Sequence, residues 1–413
     1  MTQRLTKLLA FSLAATAVVV PTAAVAAPVH QTPADQQMPS TRVASTRGSI
    51  VSAVRVARLT PAQLHQLAIT SGFVDPPNPR YAVSLYRLVY RTVDHFGRPT
   101  TASGLVVLPE GRRGALRVAA YLHGTSTTKA DAATIDPHST DRAAIAMFAG
   151  AGMAGIAPDY LGLGLGPGRP PYLDLTSEKT SSVDLLRAAS GFAVRHGVVF
   201  RKDVAVTGFS QGGRATLAFG RALQSGAAGS FRLGALAPVA GPYDILGTEF
   251  PAVFNGQVDG AAAAGYLAYL VTAWKSTIGL YDDPEKVFQP QYAQIVEGLL
   301  DGTHPFEEIA GKLPDSPDKL FLPAFLAELK HPTGIFARTL REGDRICTDW
   351  TPRVPVTMYT GTLDRDVVPA NADSCAAALR SRGAHVTIRS MGPVNHSGTA
   401  LAAYPEIVRA FAG

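Results

Sequence analysis

Val204-Ala205-Val206-Thr207-Gly208-Phe209-Ser210-Gln211-Gly212-Gly213 is the stretch that decides the fold. It opens as a short uninterrupted apolar strand, passes through Gly208-Phe209-Ser210-Gln211-Gly212, and continues into a helical pattern from Gln211 to Ser225. The central five residues match G-x-S-x-G. In a chain with 39 glycines that match arises by chance about 0.2 times. The context is what raises it. A strand, a sharp turn and a helix form the setting in which a serine sits on a strained elbow with its hydroxyl exposed, and the small neighbours leave room for the turn. Ser210 is therefore the candidate nucleophile.

On both sides of the elbow the chain alternates strand and helix. Thr60-Pro61 predicts an N-cap followed by proline in the first turn of a short helix that closes at Ser71-Gly72. Val83–Val93 and Ser103–Leu108 flank Gly97-Arg98-Pro99 as a hairpin. Short apolar runs follow at Val118–Leu122, Met153–Ala157, Leu233–Pro238, Val354–Thr360 and Val386–Met391, with a helical period from about Thr176 to His196. Uninterrupted apolar strands separated by helices predict a mostly parallel central sheet with helices on both faces. The alternation stops over residues 242–350. There the chain reads as helices broken by proline and glycine, and an insertion between two strands of an α/β sheet stands over the strand ends where ligands bind. This segment is expected to be a helical cap or lid. Its apolar stretches Ala261–Trp274 and Leu320–Leu326 read first as the cap's own core and second as a surface for transient contact with lipid.

A serine hydroxyl needs a base, and the order of the parts then eliminates most candidates. Of ten histidines, only His385 and His396 lie beyond the strand Val354–Thr360. His385 opens the last strand. His396 sits in the loop after it, Gly392-Pro393-Val394-Asn395-His396-Ser397-Gly398, and is the candidate base. The orienting acid is expected in Gly361-Thr362-Leu363-Asp364-Arg365-Asp366-Val367-Val368-Pro369. Asp364 has the G-x-x-D-x-x-V spacing, and Asp366 is the alternative. Two backbone N–H groups must receive the oxyanion. Gln211, directly after the nucleophile, is one candidate, and Thr125 in His123-Gly124-Thr125 is the other. His123 reads as a structural hydrogen-bonding residue. The run Gly162-Leu163-Gly164-Leu165-Gly166-Pro167-Gly168 gives no G-x-G-x-x-G in any register, and its prolines oppose an immediate helix, so it reads as a loop at the site's rim. No Cys or His cluster has metal-ligand spacing, and no cofactor is called for.

Composition bounds the rest. The chain has 413 residues, 46% hydrophobic and 17% charged, with a formal net charge of +6 and no block of Lys or Arg, which argues against nucleic acid as a partner. Residues 1–26 read as a secretory signal: Arg4 and Lys7, an apolar stretch from Leu8 to Val20, then Ala24-Val25-Ala26 at the cleavage site. Residues 27–55 read as a flexible linker, residues 56–241 and 351–413 as the two parts of the α/β core, and residues 242–350 as the cap. The two cysteines, Cys347 and Cys375, are expected to pair in an exported protein.

With these residues placed, the chain resembles the α/β-hydrolase superfamily from about Tyr81 to its end, and within it the secretory lipase (lipase A-like) family. The carriers are Tyr121-Leu122-His123-Gly124-Thr125, Ala157-Pro158-Asp159-Tyr160-Leu161-Gly162-Leu163-Gly164, Pro171-Tyr172-Leu173, Gly208-Phe209-Ser210-Gln211-Gly212-Gly213 and the Asp364 and His396 segments. The resemblance implies an α/β-hydrolase fold with a helical cap, and hydrolysis of acyl esters or triglycerides, so the expected partner is an ester or lipid small molecule. A peptidase or acyltransferase of the same fold, and a secreted binding protein without catalysis, are the alternatives. The cap carries no motif that matches, which leaves acyl chain length, and lipase against esterase, open.

Overall fold

The computed structural model describes residues 47–413. The signal segment 1–26 and the linker up to residue 46 lie outside the described residues. One nine-stranded sheet carries the core, in the order β1-β2-β3-β5-β4-β6-β7-β8-β9. The strands are β1 (Ile50–Leu59), β2 (Val83–Val93), β3 (Pro99–Pro109), β4 (Leu116–Leu122), β5 (Ala154–Pro158), β6 (Phe200–Phe209), β7 (Arg232–Val239), β8 (Val356–Thr360) and β9 (Val386–Ser390). β1, β2, β3 and β5 pair antiparallel, and β5-β4-β6-β7-β8-β9 pair parallel. The parallel strands are the uninterrupted apolar runs, because helices cover both of their faces.

Two cores flank the sheet. On one side the helices Leu175–Arg195, Gln211–Gln224 and Ala370–Ser381 contribute Leu185, Phe192, Leu217, Phe219 and Leu379. On the other, Pro61–Thr70, Thr140–Gly150 and His396–Ala412 contribute Leu64, Ile145, Phe148, Ile407 and Val408. Each such side chain is worth about 1.5–3 kcal/mol when fully buried. The helix Pro61–Thr70 starts at a capping box: Thr60 accepts from Gln63 N and the Gln63 side chain accepts from Thr60 N.

One boundary differs from the sequence reading. The linker expected to run to residue 55 ends earlier, because Ile50–Leu59 pairs along β2 from Ile50↔Tyr90 to Leu59↔Val83. β1 is an edge strand with Val51 and Val54 exposed, so it lacks the clean apolar alternation that marks a half-buried strand.

Between β7 and β8 the chain leaves the sheet and forms helices, the longest being Gly260–Ile278 and Gly334–Asp344. They enclose a separate apolar cluster that includes Phe250, Leu267, Leu270, Trp274, Phe288, Phe321 and Phe336. Most of Ala261–Trp274 is buried there and forms part of the insertion's own core, whereas of Leu320–Leu326 only Leu320 and Phe321 are buried and the rest is partly buried or exposed. Tyr172 and Leu173, from the loop after β5, join the same cluster and tie the insertion to the sheet. Cys347, just past the last insertion helix, is bonded to Cys375 in the core helix Ala370–Ser381.

Candidate active site

β6 ends at Phe209 and the next helix begins at Gln211, so Ser210 alone makes the turn. Its φ of 55° and ψ of −118° are strained for a residue with a side chain. The turn is held by Ser210 N donating to Val239 O at 2.9 Å and Arg214 N donating to Ser210 O at 3.2 Å. Gly212 explains the second glycine of the motif. A Cβ there would stand 2.0 Å from Leu122 O and 2.5 Å from His123 O, so only glycine lets the helix start against the end of β4.

His396 is the first residue of the C-terminal helix, whose N-cap is Asn395. Its Nδ1 lies 2.7 Å from Asp364 Oδ2, and its ring packs on Phe209 with centroids 4.6 Å apart. Nε2 is buried without a hydrogen-bond partner among the described residues. Asp364 Oδ1 accepts from Asp366 N and Val367 N, both at 3.0 Å. The carboxylate is thus held by its own loop and aimed at the ring. The Asp366 carboxylate goes elsewhere: its Oδ2 accepts from Tyr266 OH of the insertion at 3.2 Å. Of the two aspartates, the structure brings Asp364 to His396.

Strand register brings the segments that carry the two proposed oxyanion donors out of the sheet at the same end. β4 and β6 are parallel neighbours with Leu122 opposite Gly208, so Thr125 and Gln211 each stand three residues beyond a paired position. The Thr125 loop is braced by the insertion. Thr125 Oγ1 shares a 3.0 Å hydrogen bond with Tyr172 OH, Tyr172 stacks on Tyr269 at 4.3 Å, and Tyr269 OH donates to Ser126 O at 2.9 Å. His123 faces two main-chain carbonyls, Gly124 O at 2.6 Å and Asp159 O at 3.2 Å, which gives it a structural place.

The glycine run after β5 wraps a buried carboxyl. Asp159 accepts from Ser103 Oγ at 2.6 Å and from Thr134 Oγ1. Gly164, at φ 55°, passes so close that a Cβ would meet Asp159 Oδ2 at 2.3 Å. Burial pushes the Asp159 carboxyl up against the opposing pull of these hydrogen bonds.

Above Ser210 lies a narrow cavity of about 60 Å³, walled by Leu173, Ile245, Phe250, Val258, Leu267 and Leu270. Its lining surface is mostly apolar, with Tyr172, Ser210, Glu249, Tyr266 and Asp366 as its polar members. Two buried acids beside the site carry no signal in the sequence. Glu178 accepts from Gln211 Nε2 at 2.6 Å, and burial pushes its carboxyl up to about 8. Glu249, at the foot of the insertion, accepts from Val368 N at 3.2 Å and from Asn371 Nδ2, and burial likewise pushes it up to about 8. Each is one of 32 acidic residues, and only the folded chain distinguishes them.

No protein-family model and no curated protein matches the chain. Solved structures do. A hydrolase of Legionella pneumophila, described as putative, aligns with a TM-score of 0.80 at 24% identity over 88% of this chain and 98% of the other. The rice cell wall degrading esterase LipA of Xanthomonas oryzae aligns with a TM-score of 0.74 at 25% identity over 88% and 96%. Candida antarctica lipase A shares the fold, with a TM-score of 0.64 at 13% identity over 86% and 79%. The sheet order, the elbow and these likenesses give the chain the α/β-hydrolase fold, which it shares with that hydrolase, with the esterase LipA and with Candida antarctica lipase A.

Proposed function

We propose that the chain is an exported serine esterase of the lipase type, working through Ser210, His396 and Asp364 and an acyl-enzyme. The observation that carries this reading is the Asp364–His396 pair at 2.7 Å with a buried, unpartnered Nε2, standing over the residue next to Ser210. Asp364 holds the Nδ1 proton and keeps Nε2 free as the acceptor. His396 Nε2 takes the Ser210 proton as Oγ bonds to the ester carbonyl carbon. The carbonyl oxygen gains the charge, and the N–H groups of Gln211 and Thr125 stabilise it. The C–O bond to the alcohol then breaks, and the alcohol leaves with the proton from His396. Water repeats the sequence on the acyl-enzyme and releases the acid. The apolar cavity above Ser210 takes the acyl chain. The Cys347–Cys375 bond supports export, since disulfides persist in oxidising compartments.

The test is hydrolysis of p-nitrophenyl esters of increasing chain length by the mature protein, with Ser210→Ala alongside. Each added methylene that finds room in the cavity raises kcat/KM about fourfold, from about 0.8 kcal/mol per buried CH₂. Ser210→Ala lowers kcat by about 10⁴-fold or more. Turnover near wild type in that variant, or no ester cleaved at any length, would overturn the reading. Anilide cleavage or acyl transfer in place of hydrolysis would redirect it to the peptidase or transferase alternative.

A further inference from the structure

The mechanism leaves one buried carboxyl unused directly behind the oxyanion donors. Glu178 lies in the first turn of the helix Leu175–Arg195 and is 1% exposed. Its Oε1 accepts a 2.6 Å hydrogen bond from the Gln211 side chain, itself buried, while its Oε2 is buried and has no partner among the described residues. A helix start does not need a residue there for capping, because Asp174 already accepts from Thr176 N and Ser177 N. The contact spans 33 residues and joins two helices at the one residue whose main-chain N–H follows the nucleophile.

We propose that Glu178 is a positioning residue of the oxyanion hole, fixing Gln211 through its side-chain amide and doing so in the protonated, uncharged form. This rests on the reading of Ser210 and Gln211 given above.

The geometry favours the neutral form: a proton on Oε2 leaves one buried O–H without an acceptor, which costs less than a buried unpaired charge. An ionised carboxylate would bury Oε2 as a charged oxygen with no donor, at a cost of several kcal/mol. The neutral acid instead presents its carbonyl oxygen to Gln211 Nε2 and carries its proton on Oε2. Among the described residues no cation hydrogen-bonds it. Arg214, on the elbow helix, favours the charged form through space, but its Nη1 donates to Asp344 Oδ1 and Pro242 O, both at 3.2 Å, and its buried Nε makes no bond to Glu178. Asp174, on the same helix as Glu178, adds negative charge, though His95 lies 3.0 Å from it. Tyr160 and Tyr172, from the loop after β5, sit in the field of Glu178, and burial pushes both hydroxyls upward, so they stay uncharged. Desolvation accordingly dominates, and the carboxyl titrates at about 8. Above that pH a negative charge appears on the group that holds the Gln211 side chain, behind the residue whose N–H receives the oxyanion. It opposes the transition state, and activity falls.

The experiment compares wild type with Glu178→Gln, Glu178→Ala and Gln211→Leu in p-nitrophenyl butyrate hydrolysis from pH 6 to 10, with affinity for a boronic acid as the transition-state probe. Glu178→Ala and Gln211→Leu lower kcat about tenfold with KM little changed, and weaken boronic acid binding by the same factor. Glu178→Gln keeps the acceptor, rescues most of kcat, and removes the fall in activity above pH 8 because an amide does not ionise. Should Glu178→Ala fail to fold, Glu178→Gln and Gln211→Leu still decide the matter. A wild-type alkaline limb in Glu178→Gln, or wild-type kcat in Gln211→Leu, would overturn the inference. Activity retained by Ser210→Ala would instead overturn the reading beneath it.

Discussion

Asp364→Asn separates the two aspartates of the acid loop, because the structure dictates how the substitution fails. Asp364 faces two demands at once. Oδ1 accepts from Asp366 N and Val367 N at 3.0 Å each, and Oδ2 faces His396 Nδ1 at 2.7 Å. Asparagine has one acceptor oxygen and one NH₂ group, so one demand goes unmet. If the oxygen stays with the loop, the NH₂ points at Nδ1. The ring must then accept there and carry its proton on Nε2, the atom that has to receive the Ser210 proton. If the amide flips, the NH₂ opposes two main-chain N–H groups, and two hydrogen bonds to a charged acceptor are lost, about 1.5–3 kcal/mol each. The first arrangement costs less, so the folded variant holds the wrong tautomer. The expected loss is about 10³–10⁴-fold in kcat, or about 4–5.5 kcal/mol of transition-state stabilisation, with KM nearly unchanged. Asp366→Asn keeps the shape of the cavity wall and leaves an amide oxygen to accept the 3.2 Å bond from Tyr266 OH, so kcat stays within about threefold of wild type. Steady-state hydrolysis of p-nitrophenyl butyrate by both variants, with circular dichroism to show that each is folded, is the assay. A loss below tenfold in Asp364→Asn, or the larger loss in Asp366→Asn, would refute the reasoning.

Two further outcomes follow from the same geometry. The Cys347–Cys375 bond joins residues 28 apart in sequence and ties the end of the insertion to the core, so Cys347→Ala/Cys375→Ala should unfold at lower temperature. Loop-closure entropy gives about 3–4 kcal/mol, or about 4–5 °C in Tm for a body of this size, and calorimetry showing no decrease would remove the bond from the stability account. The second concerns pH. Glu178 and Glu249 titrate near 8 in the folded chain against an ordinary 4.5, so between these values the folded state holds protons that the unfolded state has released. Stability is therefore greatest at the acid end of that window and falls as pH rises toward 8. Tm measured at pH 5.5, 7 and 8.5 should decline, and should decline less in Glu178→Gln/Glu249→Gln. A Tm that rises across the window, or an unaltered slope in the double variant, counts against both assignments.

What could be read from the chain, and what could not, divides along one physical line. The elbow was legible because sterics fix its residues locally: at Gly212 a single Cβ would meet main-chain oxygen at 2.0 Å. The parallel strands were legible because burial on both faces forces runs such as Val118–Leu122 to be apolar throughout. β1 is not legible at all, its first residues reading as linker, because an edge strand with exposed valines obeys no such constraint. The choice between Asp364 and Asp366 stayed open at the level of spacing. It depends on which carboxylate the loop's own N–H groups enclose, and two acids two residues apart look alike until the loop has a conformation. Glu178 and Glu249 were invisible for a stronger reason. Each meets its partner across a long separation, Glu178 reaching Gln211 and Glu249 reaching Asn371, and neither type of residue is required locally. A glutamate in a first helical turn is what any solvated helix would carry. The charge it is denied by burial, not its place in a motif, is what gives Glu178 a role. That kind of role is written in packing between distant segments, so the fold must be in hand before the residue can be found.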